Sequence, residues 1–130
     1  MEASNSPRLS AVVLGVMQDA GLPHAGCRCR RCVRAYDDPQ VAGYAACLAL
    51  VDRRRTPPAV WLVDATPDIK YQLNFLAETL GVTDERRLRP PAGILLTHAH
   101  MGHVGGLMHL GNEAMAVRDL PVYASPGLVG

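Results

Sequence analysis

The sequence predicts a mixed α/β domain in which strands come first and then alternate with helices. Three observations carry that expectation. Short β-branched apolar runs recur along the chain. One segment has the apolar period and the end signals of an amphipathic helix. A histidine-rich turn follows directly on a strand-like run.

Residues 1–8 are polar and contain Pro7, which predicts a flexible tail ahead of a domain over residues 9–130. Leu9 to Val16 is short, apolar and β-branched and reads as a buried strand. Met17 to Gly26 is turn-rich, with Gly21, Pro23 and Gly26, and a cysteine cluster follows in the same predicted loop. Ala45 to Val51 is a second strand. Thr56-Pro57-Pro58 then breaks the chain, and Val60 to Val63 is a third strand ending at Asp64. The helix is predicted over Thr66 to Leu80, with Thr66 as N-cap, Pro67 at the first helical position and Asp68 at the positive end of the dipole. Ile69, Leu73, Leu76 and Leu80 share one face, and Gly81 stops the helix. Gly93 to Thr97 is a fourth strand, a further helix is expected around Val104 to Val117, and Pro121 to Ala124 starts a fifth strand. The first three strands suit a meander. About five short strands would leave a sheet with uncovered faces and an open edge, so the chain is expected to continue beyond Gly130.

Composition limits the function classes. Of 130 residues, 48% are hydrophobic and 19% charged, a globular balance, and the net charge of +1 gives no strong pull toward nucleic acid or anionic membrane. No apolar run approaches the ~20 residues of a membrane helix. Leu9 to Met17 follows Arg8 like a signal-peptide core, but Gln18-Asp19 comes next with no small-x-small cleavage site. The expected location is the cytoplasm. The expected partner is a small-molecule substrate, not nucleic acid or membrane, with homodimerisation left open.

Cys27, Cys29 and Cys32 form a CxCxxC cluster, and Cys47 stands apart. Three thiolates this close can wrap one zinc at ~2.3 Å each, leaving a fourth tetrahedral position. Arg28, Arg30 and Arg31 favour the thiolate forms. His24 and Cys47 are the local candidates for the fourth ligand, although Cys47 lies in an apolar run and reads as a buried small hydrophobe. The rival is a redox CxxC at Cys29 and Cys32, which a third cysteine fits poorly. The expectation is a structural zinc.

Thr97 to Leu107 reads THAHMGHVGGL. In extended backbone His98 and His100 project to one side, and His103 falls near the start of the next helix. Three imidazoles converging at a strand end suit zinc, iron, nickel or manganese better than calcium or magnesium. The rival is a histidine-rich surface turn that holds no metal. His109 reads as a helix-face residue. Gly102 to Gly106 lacks the spacing of a phosphate loop and reads as a site of close helix approach.

The segment ILLTHAHMGHVGGL resembles the HxHxDH signature of the metallo-β-lactamase superfamily, and WLVDATPD resembles that family's preceding strand ending in Asp. LGVMQDAGLPHAGCRCRRC resembles the start of the branch that contains coenzyme PQQ synthesis protein B and the phosphoribosyl cyclic phosphodiesterases. The resemblance covers residues 9–126. It implies an incomplete metallo-β-lactamase αββα sandwich, the N-terminal half. It also implies a metal-dependent hydrolase whose activated water attacks an ester or phosphodiester. By resemblance His98 and His100 serve a first metal and His103 a second, the ion being zinc, manganese or iron, and Asp64 supports the site by hydrogen bonding. The family's Asp is replaced by Gly102, which departs from a standard dinuclear site, and Asp19 in the loop after the first strand is a candidate substitute. The family's third His, bridging Asp and last His come from later in the chain, so the 130-residue piece alone is expected to be inactive. Two alternatives stand beside the hydrolase. One is a role in cofactor synthesis like that of coenzyme PQQ synthesis protein B, in which HxHxDH is also altered. The other is a truncated, non-catalytic fragment that binds zinc through its cysteines.

Overall fold

The structure, a computed structural model, describes residues 7–82, 84, 86 and 88–129. Residues 1–6 of the expected tail and Gly130 lie outside the described residues. Strand β1 (Leu9–Gly15) pairs antiparallel with β2 (Cys47–Asp52), and β2 pairs antiparallel with β3 (Ala59–Val63). Strands β4 (Gly93–Leu95) and β5 (Val122–Tyr123) continue the sheet parallel to β3. Spatial order follows sequence order, so the predicted meander and mixed α/β class are both present. The direction of the strands positions everything that follows. With only β2 reversed, the carboxyl ends of β1, β3, β4 and β5 all lie at one end of the sheet.

Helix α2 (Ile69–Leu80) covers one sheet face. Its Ile69, Leu73 and Leu76 pack with Leu14, Ala49, Val51, Leu62 and Ile94 in a single core. Strand alternation delivers those residues: Cys47, Ala49 and Val51 are buried, whereas Leu48 and Leu50 point the other way. The helix ends where expected, at Gly81, whose φ of 70° is the left-handed stop that glycine adopts without cost. Its start differs from the sequence expectation. The Thr66 hydroxyl accepts from the Asp68 N–H at 3.1 Å, but Thr66 and Pro67 form a turn and helical structure begins at Ile69. The turn is pinned to the residues before β2. The Asp68 carboxylate accepts from the Ala45 N–H at 2.9 Å, and the buried Gln72 amide donates to the Ala45 carbonyl at 2.8 Å. Tertiary hydrogen bonds thus outweigh the local cap.

Two further corrections concern helices. The helix expected over Val104 to Val117 is not formed. Instead α3 (Met101–Val104) runs into a 3₁₀ turn at Gly105–Leu110 and the chain then leaves helical structure. Gly102, Gly105, Gly106 and Gly111 weaken helix propensity across this stretch. A Cβ on Gly106 would come 2.2 Å from the Thr66 carbonyl oxygen, so this glycine permits the close backbone approach read from the sequence. Conversely, α1 (Arg30–Asp37) occupies part of the predicted cysteine loop, and it carries Arg30, Arg31 and Arg34 on a helix rather than in a loop. It has no side-chain cap and buries only Cys32 and Ala35, which explains why no apolar period revealed it. A last short helix, α4, spans Pro126–Val129. Among the described residues no helix is long and apolar enough to cross a membrane.

The sheet face opposite α2 is apolar and uncovered. Leu9, Val13, Leu50, Leu95 and Tyr123 are exposed there, and the Trp61 ring lies over Gly93, where a Cβ would approach to 2.2 Å. Such a face on a sandwich-forming sheet is a surface for further packing.

Ile94 is fully buried at the centre of the core. Ile94→Ala is expected to lower unfolding free energy by about 2–5 kcal/mol in a urea titration. A loss below about 1 kcal/mol would mean that this residue does not occupy the core assigned to it.

Candidate metal centre

Three loops meet at the carboxyl end of the sheet. The loop after β1 brings Asp19, the residue after β3 is Asp64, and the segment after β4 carries Thr97, His98, His100 and His103. Strand ends of this kind are where α/β proteins assemble their sites. Asp64 is buried and has a φ of 68°, a left-handed conformation that costs an L-residue roughly 1–2 kcal/mol. Its contacts offset that cost. One carboxylate oxygen accepts from the Thr97 N–H at 2.8 Å, and the Thr97 hydroxyl lies 2.8 and 2.9 Å from the two oxygens. The other oxygen lies 2.7 Å from His103 Nδ1. Backbone bonds close the corner: Asp64 N–H to the Leu95 carbonyl at 2.8 Å, Ala65 N–H to the His103 carbonyl at 2.9 Å, and Gly106 N–H to the Ala65 carbonyl at 2.8 Å.

The imidazoles form a cluster. The His98 ring centroid lies 4.7 Å from that of His100 and 4.0 Å from that of His103. His98 and His100 are exposed, while His103 is half-buried between two carboxylates, with its Nε2 3.3 Å from Asp19 Oδ1. The rings thus gather, with His103 also paired to Asp19, but among the described residues no three ligand atoms of this group all lie within 4.8 Å of one another. The nitrogen and oxygen donors present here suit a transition-metal ion. With Nδ1–H donated to Asp64, Nε2 of a neutral His103 keeps its lone pair for a ligand. Thr97 is a contributor the sequence reading missed. Its only signal is a hydroxyl residue between strand and histidines. His109 lies in the 3₁₀ turn, where its carbonyl accepts from the Met115 N–H at 3.2 Å.

The cysteine triad is separate. Cys27, Cys29 and Cys32 offer sulfur atoms that all lie within 4.8 Å of one another, the one such set of three ligand residues among the described residues. A tetrahedral zinc with ~2.3 Å sulfur bonds spaces its thiolates about 3.8 Å apart, so the triad fits a zinc with small adjustment. Cys29 sits at the N-terminal boundary of α1. The Cys32 N–H there, helped by the Cys27 and Cys32 thiols, lowers its pKa to about 7. For Cys32 the His24 N–H, at 3.4 Å, favours the thiolate, but burial and the two neighbouring cysteines together outweigh it and raise its pKa. The two local candidates for a fourth ligand are placed differently. His24 Nδ1 is 3.2 Å from the Gln18 amide. Cys47 is in the core, its thiol pointing to the Asp64 carbonyl at 3.5 Å, and burial together with the Asp64 charge pushes its pKa up to about 12. The helix that opens at Cys29 gives Cys29 and Cys32 the local setting of a redox pair, but it joins no thioredoxin-like βαβ unit in this sheet.

Residues 61–130 match the model of the beta-lactamase superfamily domain. Over 103 residues the chain is 32% identical to coenzyme PQQ synthesis protein B of Rhodopseudomonas palustris strain TIE-1, covering 78% of this chain and 32% of that protein. Zn2+-bound PqqB from Methylobacterium extorquens superposes with a TM-score of 0.68 at 26% identity, over 92% of this chain and 38% of that one. A diphosphatase from the PhnP family superposes with a TM-score of 0.59 at 25% identity, over 91% of this chain and 42% of that one. The chain therefore spans about a third of the length of the curated relatives it matches.

Two outcomes test this geometry. Asp64→Ala leaves the Thr97 N–H without its acceptor and is expected to destabilise the fold by about 1–3 kcal/mol in denaturant titration; an unchanged midpoint would show that the carboxylate does not hold the corner. In metal-free protein, Cys29 should alkylate fastest, with its rate rising as pH passes about 7, while Cys47 stays unreactive until unfolding. Peptide mapping after a brief iodoacetamide pulse reads both. Equal labelling of Cys29 and Cys47 in the folded state would contradict the assignment.

Proposed function

Because the chain belongs to the metallo-β-lactamase superfamily, on the branch shared by PqqB and the PhnP family, we propose that the whole protein is a metal-dependent hydrolase of an ester or phosphodiester. The observation that carries this reading is the cluster of His98, His100 and His103 at the shared carboxyl end of parallel strands, with His103 fixed by Asp64 at 2.7 Å. Zinc, manganese or iron bound there would act as a Lewis acid and activate water. His98, His100 and His103 are the proposed ligands. Asp64 is a positioning residue that sets the His103 tautomer, and Thr97 orders Asp64 in turn. The likeness to a diphosphatase favours a phosphorus-containing substrate. Cys27, Cys29 and Cys32 are proposed to hold a structural zinc away from the reaction.

A second reading has its own support. The structural likeness to Zn2+-bound PqqB, at a TM-score of 0.68, exceeds that to the diphosphatase, at 0.59. A PqqB-like role in cofactor synthesis is therefore the alternative.

The decisive measurement uses the whole protein. Replacing both His98 and His100 by Ala is expected to remove roughly one metal ion per chain and at least about 100-fold of activity on a phosphodiester such as bis(p-nitrophenyl) phosphate, while the cysteine-bound zinc remains. Total metal identical to wild type would defeat the assignment of the histidines. Metal loss without any phosphodiesterase activity in the wild type, together with restored PQQ formation in cells lacking coenzyme PQQ synthesis protein B, would select the second reading.

A further inference from the structure

We propose that Asp19 is a metal ligand, paired with His103, and that residue 102 is glycine because Asp19 occupies the space its side chain would need. The inference rests on the metal reading of the histidines and assigns a residue from a different loop to that site.

The first argument is steric. A Cβ built on Gly102 would lie 2.4 Å from the Asp19 Cα, 2.5 Å from its Cβ and 2.6 Å from its Cγ. No side chain at position 102 can coexist with Asp19 where it stands. The HxHxDH pattern places a carboxylate at position 102, and here a carboxylate fills the same space from the loop after β1.

The second argument is the spacing of the donor atoms. His103 Nδ1 is 2.7 Å from the Asp64 carboxylate, which can only accept, so Nδ1 carries the hydrogen. Nε2, on the other side of the ring, faces Asp19 Oδ1 at 3.3 Å. A ring nitrogen and a carboxylate oxygen so placed can bind one ion together. Two ligands bound at ~2.0–2.1 Å to one ion at tetrahedral to octahedral angles lie about 2.8–3.4 Å apart. The observed separation has that value, and it is longer than the bond on the other side of the ring.

The third argument is rigidity. The loop carrying Asp19 is tied on both sides. Met17 N–H donates to the Tyr44 carbonyl at 2.9 Å, and Leu22 and Gly43 exchange backbone bonds at 2.7 and 2.8 Å. The Gly21 N–H closes the turn on the Gln18 carbonyl at 2.8 Å. The loop backbone that carries the carboxylate is thus fixed before any ion arrives.

Metal titration of the whole apoprotein, with zinc against a competing chelator and metal stoichiometry by mass spectrometry, tests the proposal. Asp19→Asn keeps the size of the side chain and should weaken zinc binding at the histidine site by about tenfold or more, with the cysteine-bound zinc and the melting temperature of the apoprotein unchanged. Gly102→Asp alone should weaken it as well, because the two side chains collide. The double variant Asp19→Gly, Gly102→Asp should regain a substantial part of the affinity. Wild-type affinity and stoichiometry in Asp19→Asn, alongside metal loss in His103→Ala, would overturn the role of Asp19 and leave the metal reading intact. Wild-type metal in both variants would overturn the metal reading itself. A change confined to the titration of His103, with zinc affinity untouched, would show a proton rather than a metal between the pair and would also overturn the proposal.

Discussion

Everything at the carboxyl end of the sheet depends on one buried carboxylate. Asp64 ends β3 in a left-handed turn and fixes the backbone and hydroxyl of Thr97, just past β4, and the ring of His103 in the segment beyond. The strained conformation is tolerable because Asp is one of the few residues that enter this region easily, and because each carboxylate oxygen is satisfied. A buried carboxylate without partners would cost several kcal/mol, so the corner holds as a unit or not at all. The backbone bonds from Ala65 to His103 and from Gly106 to Ala65 make the same junction a second time.

Strand direction explains why distant residues meet here. The antiparallel meander turns the chain twice, so β1 and β3 point the same way, and the parallel additions of β4 and β5 keep that sense. Residues leaving any of these strands arrive at one rim. Glycine then sets how close the loops come. Gly106 lets the 3₁₀ turn lie against the backbone of Ala65 and Thr66, and Gly102 leaves room for Asp19.

Much of this was legible in the sequence. The five strands announced themselves by β-branched apolar runs, and α2 by its 3.6-residue period and terminal glycine. The histidine motif and the cysteine spacing pointed to the family. What escaped had physical reasons. Helix α1 is two turns long, uncapped and buries two small side chains, too little for a periodic signal. The stretch after Val104 carries Leu107, Leu110 and Met115 at helical spacing, yet its glycines and the pull of the Asp64 corner convert it to a 3₁₀ turn. Thr66 looks like a cap, but its hydroxyl donates to Gln72 at 2.7 Å and the start of the helix is decided by Asp68 and Ala45. The contacts of Thr97 with Asp64 arise from register, which one-dimensional spacing does not encode, whereas Asp19 was already a candidate from its place in the loop after the first strand.

The two clusters differ in the sequence distance they bridge, and this bears on thermodynamic linkage. His103 and Asp64 are 39 residues apart in the chain, so their arrangement exists only when the sheet is assembled. An ion held by the three imidazoles alone, which themselves span six residues, would keep some affinity for unfolded chains, whereas one that also needs Asp19 would shift the folding equilibrium by nearly its full binding term, about 2.7 kcal/mol at a free concentration 100 times its dissociation constant. The three thiols span six residues and remain neighbours in a random coil. A thiophilic ion bound there would have affinity for denatured chains too, and a smaller share of its binding energy would reach the native state. Calorimetry with and without a chelator would therefore weigh the imidazole rim more heavily than the knuckle if Asp19 takes part, even at equal affinity.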